Sequence, residues 1–352
     1  MQNYSCKNCG AELYWDIQAG CLKCKFCESE YQVVDFEDKT LADEPVNNES
    51  LDKDFVHSDN IDVGMSVYEC KNCGGEVVAL NTTMATICPY CSEAISITSK
   101  SVGDFRPELC IPFSKDKKAI IEIYKNYVNK SLLTPKEFKE QSTIEKIQGL
   151  FTPFYLHTMK DRAHHIFEGE RVSSRRRGYD KVTRHDVYSL RINAEGQFER
   201  IPTDASVRIS NQLMDSIEPF NYRDLKEYNP AYMAGFVAEQ TDEDKENMNI
   251  RAETRAKSGM RERAQSAFTR YLGVRLISED HNMLTHTSSY VMLPIWLLNV
   301  KHGARKYTFA VNAQTGKVVG KLPMDKLKLF LIGCGSFLTI DVIAAILTIL
   351  FA

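Results

Sequence analysis

The string Cys6-Lys7-Asn8-Cys9-Gly10 returns unchanged as Cys70-Lys71-Asn72-Cys73-Gly74, and this repetition decides how the first hundred residues fold. Fourteen residues separate Cys9 from Cys24-x2-Cys27, and fourteen separate Cys73 from Cys88-x2-Cys91. Every cysteine of the first set recurs 64 positions later, and Tyr4/Tyr68, Glu12/Glu76 and Phe26/Tyr90 keep the same phase. Cys21 stands near enough to compete with Cys27 for a metal, but its counterpart is Ala85, so it reads as a spectator. Paired CxxC knuckles at this spacing are the signature of zinc ribbons. Each offers four thiolates to a tetrahedral Zn²⁺ at about 2.3 Å, with Gly10 and Gly74 freeing the turn after the first knuckle. With all four positions cysteine, no place is left for a reactive water. Two structural zinc ions are therefore expected, on Cys6, Cys9, Cys24 and Cys27 and on Cys70, Cys73, Cys88 and Cys91, with iron as the alternative metal. Metal binding would serve as folding energy for units too small to have a core.

Outward from this repeat, the chain of 352 residues allows two or three units. Residues 1–34 are the first ribbon and 67–99 the second. Between them, 35–66 form an acidic linker. Residues 35–62 hold ten Asp/Glu against Lys39 and Lys53, a charge of −8 within a total of −3, so the remainder carries about +5. That balance argues against histone-like coating of nucleic acid while leaving room for a local basic patch. Residues 100–324 read as an α+β domain. An amphipathic helix over Ser114–Lys130 is capped by Ser114, and a short helix follows Thr134-Pro135. Short strands are expected at Thr152–His157, His164–Arg171, Asp186–Ile192 and Ala205–Ile209, and one long exposed helix over Thr241–Leu272. Further strands lie in Ser289–Val319. Thr152-Pro153-Phe154-Tyr155-Leu156 resembles Leu293-Pro294-Ile295-Trp296-Leu297, which suggests paired core strands.

After Lys328, the 24 residues Leu329–Ala352 carry Asp341 as their only charge, equivalent to roughly 36 Å of helix. They are expected to form a transmembrane helix. Lys321, Lys326 and Lys328 would keep the body on the cytoplasmic side, giving a single-pass cell-membrane protein with a cytoplasmic N-terminal body. Asp341 with Ala344, Ala345 and Thr348 would form a face for homo- or hetero-oligomers.

Other candidates are weaker. Arg171, Arg175, Arg176, Arg177, Lys181 and Arg184 form a basic run. Arg175–Arg177 could contact phosphates or anionic membrane lipid, or simply solvate a hairpin. The eight histidines form no recognisable site; His164 and His165 face opposite sides of a strand, and His281 and His286 fall in a loop-like stretch. There is no GxxxxGK[ST], GxGxxG, GxSxG or HExxH pattern, so the chain reads as a non-enzyme.

The paired Cys-Lys-Asn-Cys-Gly ribbons, with Asp215-Ser216-Ile217-Glu218-Pro219-Phe220, Ala231-Tyr232-Met233-Ala234-Gly235-Phe236, Leu293–Leu298 and Tyr307–Lys317, resemble the Firmicutes TFIIB-type zinc-ribbon membrane proteins. Ala313 departs from the usual Asn-Gly-Gln-Thr-Gly of that family. Its members are often labelled PriA-like replication-restart helicase or phage replisome organiser, a similarity confined to the cysteine knuckles. Closer relatives among them are encoded beside phage-shock A and SPFH-type membrane proteins. The resemblance implies a membrane-anchored adaptor of the envelope-stress response that recruits cytosolic or membrane protein partners. Sparse basic residues in both ribbons favour protein over nucleic acid as the ligand. A zinc-ribbon nucleic-acid-binding protein linked to DNA replication is the competing expectation.

Overall fold

The computed structural model describes residues 6–11, 13–36, 65–70, 73–80, 86–91, 94–95, 100–101, 107–177, 179–239, 241, 243–326 and 328–331. In chain order the first strands are β1 (Leu13–Asp16), β2 (Cys21–Cys24), β3 (Glu30–Tyr31), β4 (Met65–Glu69), β5 (Glu76–Leu80), β6 (Thr86–Ile87), β7 (Ala94–Ile95), β8 (Lys100–Ser101) and β9 (Leu109–Cys110). They are followed by β10 (Gln148–Arg177), β11 (Asp180–Asp204), β12 (Lys226–Glu227), β13 (Val237–Ala238), β14 (Leu272–His302), β15 (Arg305–Asn312) and β16 (Val318–Val319). The helices are α1 (Lys117–Asn129), α2 (Gln141–Ile144), α3 (Asn211–Ile217) and α4 (Lys245–Ser266).

Among the described residues one eleven-stranded mixed sheet runs β12-β9-β14-β10-β13-β5-β4-β8, with β11 also paired to β10 and β15–β16 to β14. Its axis is the antiparallel β10–β14 pair, which runs from Gln148 opposite Leu297 to Glu170 opposite Leu272, with register shifts between Lys160 and Asp161, Ile166 and Phe167, and Glu168 and Glu170. The two look-alike segments are neighbours here: Leu150 faces Ile295, Phe151 faces Pro294 and Thr152 faces Leu293. Each proline sits where its strand changes partner. Leu150 and Phe151 pair with β13, and pairing with β11 begins at Phe154, so Pro153 falls in the gap. Val291 and Met292 pair with β9 and Ile295 with β15, so Pro294 falls in the equivalent gap. A residue without an N–H belongs where no ladder bond is required of it. Phe151, Phe154, Val291, Leu293, Ile295 and Leu297 are fully buried around this junction.

The expected short strands are therefore corrected. Thr152–His157 and His164–Arg171 are two parts of one thirty-residue strand, and Ala205–Ile209 is not a strand. The intervening 158–163 alternates strictly, with Met159, Asp161 and Ala163 buried and Lys160 and Arg162 outward. Because Asp161 is an inward position, the apolar alternation is broken in the sequence while the geometric one continues. Beyond the core, β10, β11 and β14 project together as a three-stranded arm covered on one face by α4. At about 3.3 Å per residue, the twenty steps from His157 to Arg177 give a contour of roughly 66 Å.

Helix α4 also departs from expectation. Rather than being exposed all round, it buries Met248, Ala252, Ala256, Met260 and Ala264 at a spacing of four along one stripe. Gly196 on β11 lies under that stripe; a Cβ there would stand 2.7 Å from the Met260 methyl. The small residues allow the helix to approach the sheet closely. Asp244, accepting from the Glu246 N–H, caps it. For α1, Asp116 is the cap, accepting from Ala119 N at 2.8 Å. Ser114 instead donates to the Ala313 carbonyl.

The α+β character of the body stands, but the membrane-spanning element does not. Among the described residues no helix is long and apolar enough to cross a membrane. The single-pass location drawn from that element is corrected with it. Residues 332–352, with Asp341, Ala344, Ala345 and Thr348, lie outside the described residues, as does most of the 35–66 linker. Lys328, expected to flank a membrane, donates to the Thr134 carbonyl at 2.9 Å and sits beside Asp325.

Two outcomes follow from the arm. Ala256→Leu overpacks the α4 seat and should cost about 1–3 kcal/mol in denaturant unfolding. His157 is fully buried, bonded through Nε2 to Thr203 Oγ1 at 2.8 Å and through Nδ1 to His286 at 3.0 Å. Burial, with His286 and Lys245 nearby, pushes its pKa down to about 4. The unfolded imidazole takes up a proton below about pH 6.5, whereas the folded one resists until about 4. Stability should thus be full above pH 6.5 and fall as pH drops through that window. Urea midpoints across pH 4–7 should show the decline, and His157→Gln should flatten it.

Candidate metal centres

Each ribbon begins with the same backbone turn. In the first, Gly10 N–H donates to the Cys6 carbonyl at 2.8 Å and Cys6 N–H to the Ala11 carbonyl at 2.7 Å. In the second, Gly74 donates to Cys70 at 2.7 Å and Cys70 to Gly75 at 2.8 Å. Gly10 and Gly74 have φ of +71° and +66°, a left-handed conformation that side-chain-bearing residues rarely adopt. This turn aims two thiols 3 residues apart at one point, and the hairpin or its equivalent returns the second pair.

The four Sγ atoms of Cys6, Cys9, Cys24 and Cys27 lie within 4.8 Å of one another, as do those of Cys70, Cys73, Cys88 and Cys91. Sγ–Sγ distances are 3.3 Å for Cys6–Cys27, 3.4 Å for Cys9–Cys24, 3.5 Å for Cys70–Cys91 and 3.6 Å for Cys73–Cys88. These are far longer than a disulfide of about 2.05 Å and near the ~3.8 Å that a tetrahedron of ~2.3 Å zinc–sulfur bonds requires. All eight cysteines are free thiols. The donor set fits a thiophilic ion such as Zn²⁺, which would cross-link two knuckles and, being fully ligated by protein, supply structure rather than chemistry. Further donors come from Phe26 N–H to Cys24 Sγ at 3.4 Å, while Tyr31 Oη lies 3.2 Å from Cys6 Sγ. Cys21 is buried on β2 outside the four-sulfur group.

Both ribbons are built into the body. Trp15 N–H of β1 donates to the Ala234 carbonyl at 3.0 Å, and the Trp15 ring meets Tyr232 edge-on at 4.9 Å. At Gly235, with φ +84°, an added Cβ would stand 3.4 Å from Tyr14 Cβ. The Ala231–Phe236 string is thus the seat of the first ribbon. The second ribbon joins the main sheet outright: β5 pairs with β13 through Val78 and Ala238, and β5 with β4. Its second knuckle is held by Asn299, whose Nδ2 donates to the Pro89 carbonyl at 2.6 Å.

The duplicates diverge at the aromatic of the second knuckle. Tyr90, in the second knuckle of the second ribbon, is 7% exposed, with Arg208 over its ring at 5.6 Å. Phe26, its repeat counterpart, is 81% exposed. Of the other predicted residues, Arg175 and Arg176 stand exposed at the distal end of β10, opposite Val182 and Lys181, beside the fully exposed Tyr179. Arg177 pairs with Asp180 at the turn.

One group was not foreseen. His165 on β10 and Glu279 and His281 on β14 have ligand atoms within 4.8 Å of one another, so His281 lies on a strand and not in a loop. No short motif could reveal them, because only the register that sets His165 opposite Glu279 brings them together.

The chain is similar to the uncharacterized protein YdjG of Bacillus subtilis (strain 168), at 28% identity over 355 residues covering 97% of each protein. No family model matches it, and no solved structure does.

Metal analysis of the purified chain should return two zinc ions held by thiolate. Cys88→Ser should lose one of them and lower the unfolding temperature of the whole body, because β5 carries fully buried Val77 and Val78 into the main sheet.

Proposed function

We propose that the protein is a zinc-ribbon adaptor that docks a partner protein through the second knuckle of its first ribbon. The observation that carries this reading is the exposure of Phe26. The equivalent aromatic, Tyr90, is spent on contacts within the chain, which illustrates what a knuckle aromatic does when it has a surface to meet. An exposed phenylalanine on a metal-braced turn loses little conformational entropy on binding, and aromatic anchors of this kind carry a large share of interface energy. The second ribbon is the brace and the first the docking element. Phage-shock A-like and SPFH-type proteins, suggested by the resemblance of the sequence, are the first partners to try.

A second reading rests on the arm tip, where exposed Arg175, Arg176 and Tyr179 would suit a nucleic acid of the kind handled in replication.

The test is binding of a purified candidate partner, measured by calorimetry against wild type and Phe26→Ala. The adaptor reading expects at least a tenfold loss of affinity, about 1.4 kcal/mol, with zinc content unchanged. Equal affinity for both proteins removes Phe26 as the anchor. Nucleic-acid binding that collapses between 50 and 200 mM salt and is lost in Arg175→Ala/Arg176→Ala would replace the adaptor reading with the second.

A further inference from the structure

Under α4, the arm holds two apolar clusters with a polar one between them. Nearer the body, Met159, Ala252 and Ala256 pack with Phe198, Ile201 and Met283. Toward the tip, Phe167, Leu190 and Ala264 pack with Phe268, Tyr271 and Leu276. Between them lie Asp161 and His165, both with no exposed surface, together with His281 and Glu279.

Polar groups placed in such a seam are costly unless each is satisfied. Here several are not. His165 Nδ1 and Nε2, His281 Nε2 and Asp161 Oδ1 are buried with no hydrogen-bond partner among the described residues. The polar atoms that are satisfied are arranged to a purpose. His281 Nδ1 lies 2.6 Å from Asp161 Oδ2, so Nδ1–H donates to the carboxylate and the Nε2 lone pair is left free. That Nε2 stands 3.6 Å from Glu279 Oε2, and His165 Nε2 stands 3.7 Å from the same oxygen. Three ligands about 2.1 Å from one tetrahedral ion would sit ~3.4 Å apart. The His165 ring lies 5.8 Å from Phe167 with a 14° interplanar angle, which holds its orientation. Arg261 of α4 grips Glu279 at 2.6 and 2.8 Å and fixes the carboxylate. Two carboxylates, of Asp161 and Glu279, thus stand in the cluster beside the single guanidinium of Arg261.

We propose that His165, His281 and Glu279 form a third metal site, for a borderline divalent ion such as Zn²⁺, pinning β10 to β14 beneath α4. Asp161 is a positioning residue that sets the His281 tautomer. Unlike the ribbons, this site has nitrogen and oxygen donors and only three protein ligands, so it binds more weakly than the thiolate sites and exchanges more readily.

The full chain with both ribbons zinc-loaded is titrated with Co²⁺, and metal is counted after desalting. One further equivalent is expected, with a visible spectrum of nitrogen and oxygen ligation lacking thiolate charge-transfer bands. His281→Gln and Glu279→Gln should lose that equivalent while keeping two zinc ions, which certifies that the body is folded. Asp161→Asn should keep it with an affinity roughly ten- to hundredfold weaker. His302→Gln, outside the arm, should change nothing. Failure of wild type to bind a third equivalent overturns the proposal, and so does its retention in His281→Gln or its loss in His302→Gln.

Discussion

Everything in the body is hung on the pairing of β10 with β14. Its central stretch lies between β9, β13, β11 and β15, and both strands pass through the core before leaving it as the arm. Two prolines, Pro153 and Pro294, stand almost opposite one another at the partner changes. On each strand the missing N–H marks the point at which one neighbour ends and the next begins. A sheet with many short strands can be assembled around two long ones only if the long ones release and regain partners without leaving ladder groups orphaned.

The ribbons show how duplication frees one copy. Both keep the same knuckle turn, the same sulfur spacing and a seat in the body. In the second, the fold consumes the ribbon: its hairpin becomes sheet and its knuckle is clasped by Asn299, which is itself fixed by Thr308 at 2.7 Å. In the first, Leu13, Trp15 and Leu22 are buried in the core of the body while Phe26 stays exposed.

What the sequence made legible was chemistry of short range. CxxC spacing identifies the thiolate groups because a knuckle is a local turn. The strings noted as family-like proved to be stitches: Ala231–Phe236 seats the first ribbon. Asn312, fully buried, donates to the Ile217 and Pro219 carbonyls and accepts from Gln314 and Thr315, tying the Asp215–Phe220 string to the sheet. What the sequence concealed depends on register. The inward positions of β10 include Asp161 and His165, so its apolar period fails where the strand continues. His165 and Glu279 become neighbours only through a pairing of distant segments. Composition likewise marked α4 as exposed, because five alanines and methionines spaced by four are hard to see among its charges. The C-terminal apolar run was legible as composition alone, and no described helix has the length and apolarity of a span.

The order in which the molecule can assemble follows from that same β10–β14 register. The β10–β11 hairpin closes a two-residue turn and can zip outward from Arg177 and Asp180 at little entropic cost. The partner strand must return from far along the chain; even near the tip, Glu168 and Arg275 are 107 residues apart. Contacts of such high sequence separation form late and slowly. Until β14 arrives, one long edge of the hairpin stands open, with its backbone donors and acceptors unpaired. The seam that holds the finished protein together is thus the last to close, and during synthesis it is the stretch most in need of protection.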